Sequence, residues 1–493
     1  MKKFFLTFIL LLTGSAFATE PQQTYRLEIT PETSERWWGI DRMGAAWSVY
    51  QREENPAMPF VSNMLISNTG RYVFSAEPFT VGRGENGKMT IESYHEQMEV
   101  RKSGSTLREA YLMCVHRHLG GERRMPAVEL FSRPVYRLER RPDTTWGQDE
   151  IVAFARRIVA EGLPTGIIVV PEGWASPHIL LGFDRELFPN VPAMLGELRE
   201  LGFKTMLTIT PNTPLNGRVF TEAYRNGHLA HDREILDIGN DVVFATFRTR
   251  VAQLISEYGF DGYAFANGGG SPVGNDDHPF LLNWEKLAEG VEMCIVTGTY
   301  KRAFTSYASD VRPALSPDLT TESLLASSLS GDIYKILGDA ARGSNPFDDS
   351  DFNEQDRAIW TILSLFFPVA AVDYAPWNFE RQDLRNKIHA ALQLRASMAE
   401  YMESTVRELA KTGEPIIQHM EYRFPKQGFS DCDDQFMLGS RYLIAPSLDG
   451  APKRMVRLPR GRWRTPDGRT LRGPLVLEAD CSAAGVAYFE FMR

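Results

Sequence analysis

The stretch from Phe260 to Gly270 reads Phe-Asp-Gly-Tyr-Ala-Phe-Ala-Asn-Gly-Gly-Gly, and its residue types decide what chemistry the chain can do. A helical pattern from Phe244 to Tyr258 leads into it, Gly259 stops that helix, and a short apolar run ends in three glycines. Helix, glycine, buried strand and glycine-rich turn describe one strand of a parallel α/β barrel. In such barrels the reacting groups sit where the strands end, on the C-terminal face. The residues placed there are Ala266, Asn267 and Gly268. None of them is an acid, a base or a nucleophile. A methyl group cannot attack an electrophilic carbon, and the neutral amide of Asn267 does not supply a carboxylate's charge.

The elements that must position these residues repeat along the chain. A helix pattern from Glu150 to Glu161 stops at Gly162 and Pro164, and Gly166-Ile-Ile-Val-Val reads as a buried strand ending at Pro171, Glu172, Gly173 and Trp174. A second helix near Pro192 to Leu201 precedes the strand Lys204-Thr-Met-Leu-Thr-Ile, which ends at Thr210-Pro-Asn-Thr-Pro. Val291-Glu-Met-Cys-Ile-Val continues the series, and so many β/α units in succession favour a closed (β/α)₈ TIM barrel over an open sheet. Loops are expected between Pro313 and Asp356. A long helix follows from about Lys387 to Lys411, with Ile388, Leu392, Ala399, Met402, Val406 and Leu409 along one side, so it packs on the barrel.

The barrel is flanked by β structure. From Thr24 to about Arg140, short alternating runs such as Arg71-Tyr-Val-Phe-Ser, Met89-Thr-Ile-Glu-Ser and Tyr111-Leu-Met-Cys-Val predict an N-terminal β-sandwich-like domain. Short strands return after Gly413 and Pro415 as a smaller C-terminal β domain. Lys2 and Lys3, the apolar run Phe4 to Leu12 and the small residues up to Ala18 have the form of a cleaved signal peptide. The expected organisation is a signal peptide over 1–18, the N-terminal β domain over 19–140, the barrel over 141–412 and the C-terminal β domain over 413–493. The leader implies export to the periplasm or the extracellular space, and no later run is long enough to span a membrane. A net charge of −9 and a sequence pI near 5.6 argue against a nucleic-acid partner. Cys114, Cys294, Cys432 and Cys481 are dispersed, and disulfides and free buried thiols both stay open.

Several constellations carry no chemistry. Cys114, His116 and His118 alternate on one predicted strand but lack metal-ligand spacing and a fourth partner. His228, His231 and Asp232 do not form an H-E-x-x-H motif. The acidic run Asp348 to Glu354 lacks the glycine of a calcium loop and reads as a solvated loop. No metal or cofactor is implied.

The arrangement resembles glycoside hydrolase family 31, the retaining α-glycosidases, over most of the chain. The resemblance is strongest at Asp431-Cys-Asp-Asp-Gln-Phe-Met-Leu-Gly-Ser-Arg-Tyr-Leu-Ile-Ala-Pro446, close to the family's D-Q-F-M-L-G…L-L-V-A-P. Gly413-Glu-Pro-Ile-Ile, Phe424-Pro, Pro59-Phe-Val-Ser-Asn, Gly70-Arg-Tyr-Val-Phe-Ser, Gly259-Phe-Asp-Gly-Tyr and Ala375-Pro-Trp resemble further family elements. In the branch it is most similar to, the catalytic strand reads roughly D-G-F-K-F-D-A-G-D. Against that pattern the lysine is Ala264, the nucleophilic Asp is Ala266 and the trailing acid is Gly269, while Asp261 is retained at the strand start in a structural place. The first-strand pattern I-D-D-x-W is here Val170-Pro-Glu-Gly-Trp174, keeping Glu172 and Trp174. The segment resembling P-D-M-I-G-G-G keeps Asp339.

The resemblance implies a site at the barrel mouth. Asp310 is the positional candidate for the acid/base, Glu172 and Asp339 are candidate relocated carboxylates, and Trp174, Asn267, Asn212 and Trp377 are candidate substrate contacts. Each has a plainer reading, Trp174 as mouth packing and the acids as loop caps or surface ion pairs. A retaining glycosidase needs two carboxyl groups about 5 Å apart, and an inverting one needs them about 6.5–9.5 Å apart. The loss at Ala266 therefore favours an exported pseudoglycosidase that binds an α-glycoside or a protein partner at the mouth. The competing expectation is an active α-glycoside hydrolase using a relocated carboxylate, and a third is a cell-envelope scaffold.

Overall fold

The computed structural model describes residues 25–39, 60–83, 88–93, 98–119, 124–138, 145–230, 234–266, 278–297, 305–306, 308–311, 317–331, 333–337 and 353–492. Three sheets organise them. The first is antiparallel and holds β1 (Tyr25–Ile29), β2 (Trp37–Trp38), β3 (Phe60–Ser67), β4 (Arg71–Arg83), β5 (Met89–Ser93) and β6 (Glu99–Lys102). Its period-two pattern buries both faces. Leu65 and Val73 enter a small core of this sheet's own, whereas Met64, Ile66 and Tyr72 point into the large central core.

The second sheet is the barrel, with every pairing between its strands parallel. Its strands are β7 (Val135–Arg137), β8 (Ile167–Val170), β9 (Lys204–Ile209), β10 (Gly262–Phe265), β11 (Met293–Thr297), β12 (Ala308–Val311), β13 (Lys335–Leu337) and β14 (Ala371–Val372). β14 pairs back onto β7, and a single parallel bridge, Ile336 to Val369, joins β13 to the β14 segment and closes the ring. The third sheet, β15 (Ile417–His419), β16 (Phe436–Leu438), β17 (Tyr442–Pro446), β18 (Lys453–Arg464), β19 (Thr470–Asp480) and β20 (Val486–Met492), is antiparallel and carries its own core around Leu443, Val456 and Trp463.

The helices in chain order are α1 (Leu107–His118), α2 (Glu129–Ser132), α3 (Gln148–Ala160), α4 (Val191–Glu200), α5 (Arg218–Arg225), α6 (Asp241–Tyr258), α7 (His278–Ala288), α8 (Pro317–Ser328), α9 (Glu354–Leu365), α10 (Gln382–Ser397), α11 (Ala399–Thr412) and α12 (Met420–Arg423). Two glycines fix the strand that opened the sequence reading. Gly259 ends α6 in the left-handed region at φ 86°. At Gly262 a Cβ would lie 1.9 Å from the Met293 carbonyl oxygen, so only glycine lets β10 approach β11. Asp261 sits just before this strand, accepting a 2.8 Å hydrogen bond from the Thr205 N–H and pairing with Lys204 at 3.1 Å.

Four expectations are corrected. Residues 107–118 form α1, not a strand, so His116 points away from the face that Cys114 and His118 share. Cys114 is buried, His116 bonds the Thr412 carbonyl, and His118 stacks on Phe74. The missed signal was Thr106-x-x-Glu109, whose Thr hydroxyl accepts from the Glu109 N–H while the Glu carboxylate takes the Ser105 N–H. The barrel sheet starts at Val135, upstream of position 141, so Ile167–Val170 is its second strand; a three-residue strand after Pro134 is too short to show a period. The stretch read as loop between Pro313 and Asp356 contains α8 and β13. α8 is buried nearly all round from Thr321 to Ser328, which hides any amphipathic period. The long helix after Lys387 is two helices meeting at Met398, both facing the central core through Ile388, Leu392, Met402 and Val406. All four cysteines are buried and free, which leaves the thiol alternative.

Candidate functional site

Parallel β/α units leave every strand at one face of the barrel, and the loops there build its mouth. β10 ends at Phe265, and Ala266 follows, its N–H bonded to the Ile209 carbonyl at 2.9 Å. The Ala266 side chain is a methyl group, which supplies no acid, base or nucleophile. Asn267, next in sequence, and Asp339 lie outside the described residues.

Asp310 lies on β12, opposite Thr297 of β11 in register. Its Oδ2 accepts from the Thr297 hydroxyl at 3.2 Å and from Arg137 Nη1 at 3.2 Å. Its Oδ1 is buried and has no hydrogen-bond partner among the described residues. Arg137 is the last residue of β7. Its Nε and Nη2 grip both oxygens of Asp373, with Nη2 2.6 Å from Oδ2, and Nη2 also donates to the Leu337 carbonyl. One guanidinium thus joins the ends of β7, β12, β13 and β14 across the seam that a single bridge closes. The planar fork of arginine suits this bidentate grip.

Arg137 and Asp373 escaped the sequence reading because their strands hold three and two residues. The available signal was a charge ending each apolar run, in Val-Tyr-Arg137 and in Ala-Val-Asp373, the latter just before the noted Ala375-Pro-Trp.

The remaining candidates divide between mouth and wall. Glu172 and Trp174 follow β8, and Asn212 follows β9; all three line a cavity of about 60 Å³ between these two loops. Ligand pockets run to about 300–1,000 Å³, so this space takes a hydroxyl or hydroxymethyl group and not a sugar ring. Trp174 is 3% exposed, packs on Phe183 at 4.5 Å and donates its indole N–H to the Thr208 carbonyl at 2.7 Å. That is the packing role. Trp377 meets Phe154 and Arg157 of α3, with the guanidinium 4.6 Å from its ring centre, so these contacts belong to the helix layer. The structure brings Glu172, Trp174 and Asn212 together, and sets Asp310 in a separate cluster with Arg137 and Asp373. Among the described residues no group of His, Cys, Asp and Glu could hold a metal ion.

The fold is a closed parallel barrel between two antiparallel sheets, with Asp310 and Asp373 at strand ends. Residues 413–484 match the glycosyl hydrolase family 31 C-terminal domain. The chain is 22% identical over 444 residues to the myogenesis-regulating glycosidase of Mus musculus, covering 78% of this chain and 60% of that protein. It is 26% identical over 129 residues to an alpha-glucosidase of Saccharolobus solfataricus, which is 24% of this chain and 19% of that one. The chain therefore spans less than two thirds of the length of these curated relatives. In structure it resembles a family 31 dextranase of Flavobacterium johnsoniae complexed with glucose, with TM-score 0.75 and 15% identity, covering 96% of this chain and 67% of that one. It also resembles a family 31 sulfoquinovosidase from E. rectale complexed with an aza-sugar inhibitor, with TM-score 0.74 and 12% identity over 95% of this chain and 82% of that one. Residues 413–484 thus carry the family 31 C-terminal domain, and the fold as a whole is that of these family 31 structures.

Proposed function

We propose that this chain is an exported family 31 homologue that binds carbohydrate at its barrel mouth without hydrolysing glycosidic bonds. One observation carries the reading: the Arg137 guanidinium lies between Asp310 and Asp373 and bonds to both. Two facing carboxylates are what either glycosidase mechanism requires, with an anomeric carbon and, for inversion, a water between them. Here the space between them is taken by a cation that holds both. Ala266 removes the nucleophile at the third place. The active alternative with Glu172 as relocated carboxylate draws no support from its position, because that side chain lines the cavity beside Trp174, apart from the Asp310 cluster.

The family's carbohydrate-bound structures support a sugar as ligand over a protein partner at this face. The basic, apolar and small-residue leader supports export.

The test pairs turnover with binding. Wild type is expected to release no aryl group from aryl α-glucosides or α-xylosides, with or without azide, while calorimetry detects binding of neutral oligosaccharides. Azide can replace a missing nucleophile, so silence in its presence is the expected consequence of an acid held by Arg137. Turnover by wild type that disappears in Asp373→Asn or Glu172→Gln would refute the reading.

A further inference from the structure

We propose that the helix inserted after β9 is a stacking platform for an oligosaccharide, with Tyr224 and Phe220 as its aromatic face and the adjoining cavity as the socket for one hydroxyl-bearing group. The inference rests on the carbohydrate reading above and extends it from the barrel axis to the rim.

α5 belongs to the excursion between β9 and the returning barrel helix α6, so topology places it on the mouth face. Phe220 and Tyr224 are four residues apart on it, with ring centres 6.0 Å apart and planes 19° from parallel. Burial would explain such a pair, yet Tyr224 is 64% exposed. Leu215, just before the helix, is 61% exposed, and Ile179 of the loop after β8 is 53% exposed. These two loops are packed together: the Val219 N–H reaches the Pro177 carbonyl, and Ile179, Pro214 and Val219 line the same cavity. The result is a set of exposed apolar side chains on the two loops that line a part-polar socket. Exposed apolar surface of this kind marks an interaction site.

The occupant is identified by what surrounds these side chains. The socket is lined by Thr213, whose hydroxyl is buried and has no partner among the described residues, and by the exposed Asn212. A lone buried hydroxyl calls for a partner that can donate or accept. A pyranose ring has an apolar C–H face and a rim of hydroxyls. These match an aromatic face exposed at Tyr224, on the same pair of loops as a socket the size of one hydroxymethyl with a hydroxyl in its lining that is unpaired among the described residues. A lipid would leave Thr213 unpaired, and a flat protein contact would not use the socket. The ligand is therefore a neutral oligosaccharide long enough to place one unit in reach of the socket and another on Tyr224.

The experiment compares calorimetric binding of methyl α-glucoside with that of isomaltotriose, maltotriose and a xylo-oligosaccharide, in wild type, Tyr224→Ala and Tyr224→Phe. Because Tyr224 is exposed, Tyr224→Ala is expected to melt with wild type. Losing one stacked ring should weaken oligosaccharide binding about tenfold. It should leave methyl α-glucoside binding unchanged, and Tyr224→Phe should restore the oligosaccharide affinity. Oligosaccharide binding that is equal in wild type and Tyr224→Ala overturns the platform and leaves the carbohydrate reading intact. A wild type that binds none of these sugars overturns both.

Discussion

Glu35 gives the N-terminal sheet a measurable dependence on acid. Its side chain is fully buried beside Arg71, which is 19% exposed. It accepts from Arg71 Nε at 2.8 Å and from Arg71 Nη2, from the Thr69 hydroxyl at 2.5 Å and from the Glu32 N–H at 2.8 Å. Burial alone pulls a carboxyl upward; the hydrogen bonds from Arg71, Thr69 and Glu32 outweigh it and hold Glu35 at about 2 instead of the ordinary 4.5. At about 1.4 kcal/mol for each pH unit this displacement is worth about 3 kcal/mol. A depressed carboxyl contributes stability that is fully present above its unfolded value and is lost as pH falls through its folded value. The contribution should therefore be complete above pH 4.5 and fade toward pH 2. Glu35→Gln removes the charge and leaves Arg71 facing a neutral amide, with its other neighbours unchanged. Protection of the β3–β4 amides against hydrogen exchange, corrected for intrinsic rates, reads this local stability without requiring the whole chain to unfold in one step. The expected result is a gap of about 3 kcal/mol between wild type and variant at pH 6 that closes as pH approaches 2. A gap that stays constant over this range, or no gap at pH 6, would refute the reasoning.

Two further outcomes follow from the barrel. Arg137→Met leaves Asp310 and Asp373 near one another without their shared cation. A loss of about 3 kcal/mol is expected at pH 7; a melting temperature equal to wild type would contradict it. Arg395 is buried without a carboxylate partner among the described residues, and burial pushes it down to about 10. It donates to the carbonyls of Leu365, Phe131 and Pro368 at 2.8–3.0 Å. Arg395→Met should cost about 3–5 kcal/mol because three buried acceptors lose their donor, and a melting temperature equal to wild type would show that water or backbone movement replaces it.

The excursion after β9 changes how the mouth is understood. Family resemblance directs attention to the barrel axis, where Arg137 bonds to both Asp310 and Asp373. The rim adds an aromatic pair, Phe220 and the exposed Tyr224. Under the proposal above, glycan binding at the rim would not depend on bond cleavage at the axis.

Much of this protein was legible in its sequence where the signal is local and repeated. Buried runs such as Ile167–Val170, the glycine at 259 and the helix of α6 follow from periodicity and from the αL conformation that glycine tolerates, so the barrel and the empty end of β10 could be read directly. The β structure on either side followed from alternation. What failed was short or hidden. α1 was misread because the run Tyr111-Leu-Met-Cys-Val was taken for a strand, though the cap at Thr106 was present. α8 is buried from Leu324 to Ser328, and β7 and β14 are too short for any period. Arg137 and Asp373 are 236 residues apart in the chain. Nothing local pairs them. Residue order determined which strands form and that Ala266 follows β10; only the closing of the ring brought a cation from its first strand onto the acids of its sixth and eighth, because hydrogen bonds and charge act over ångströms in space whatever the separation along the chain.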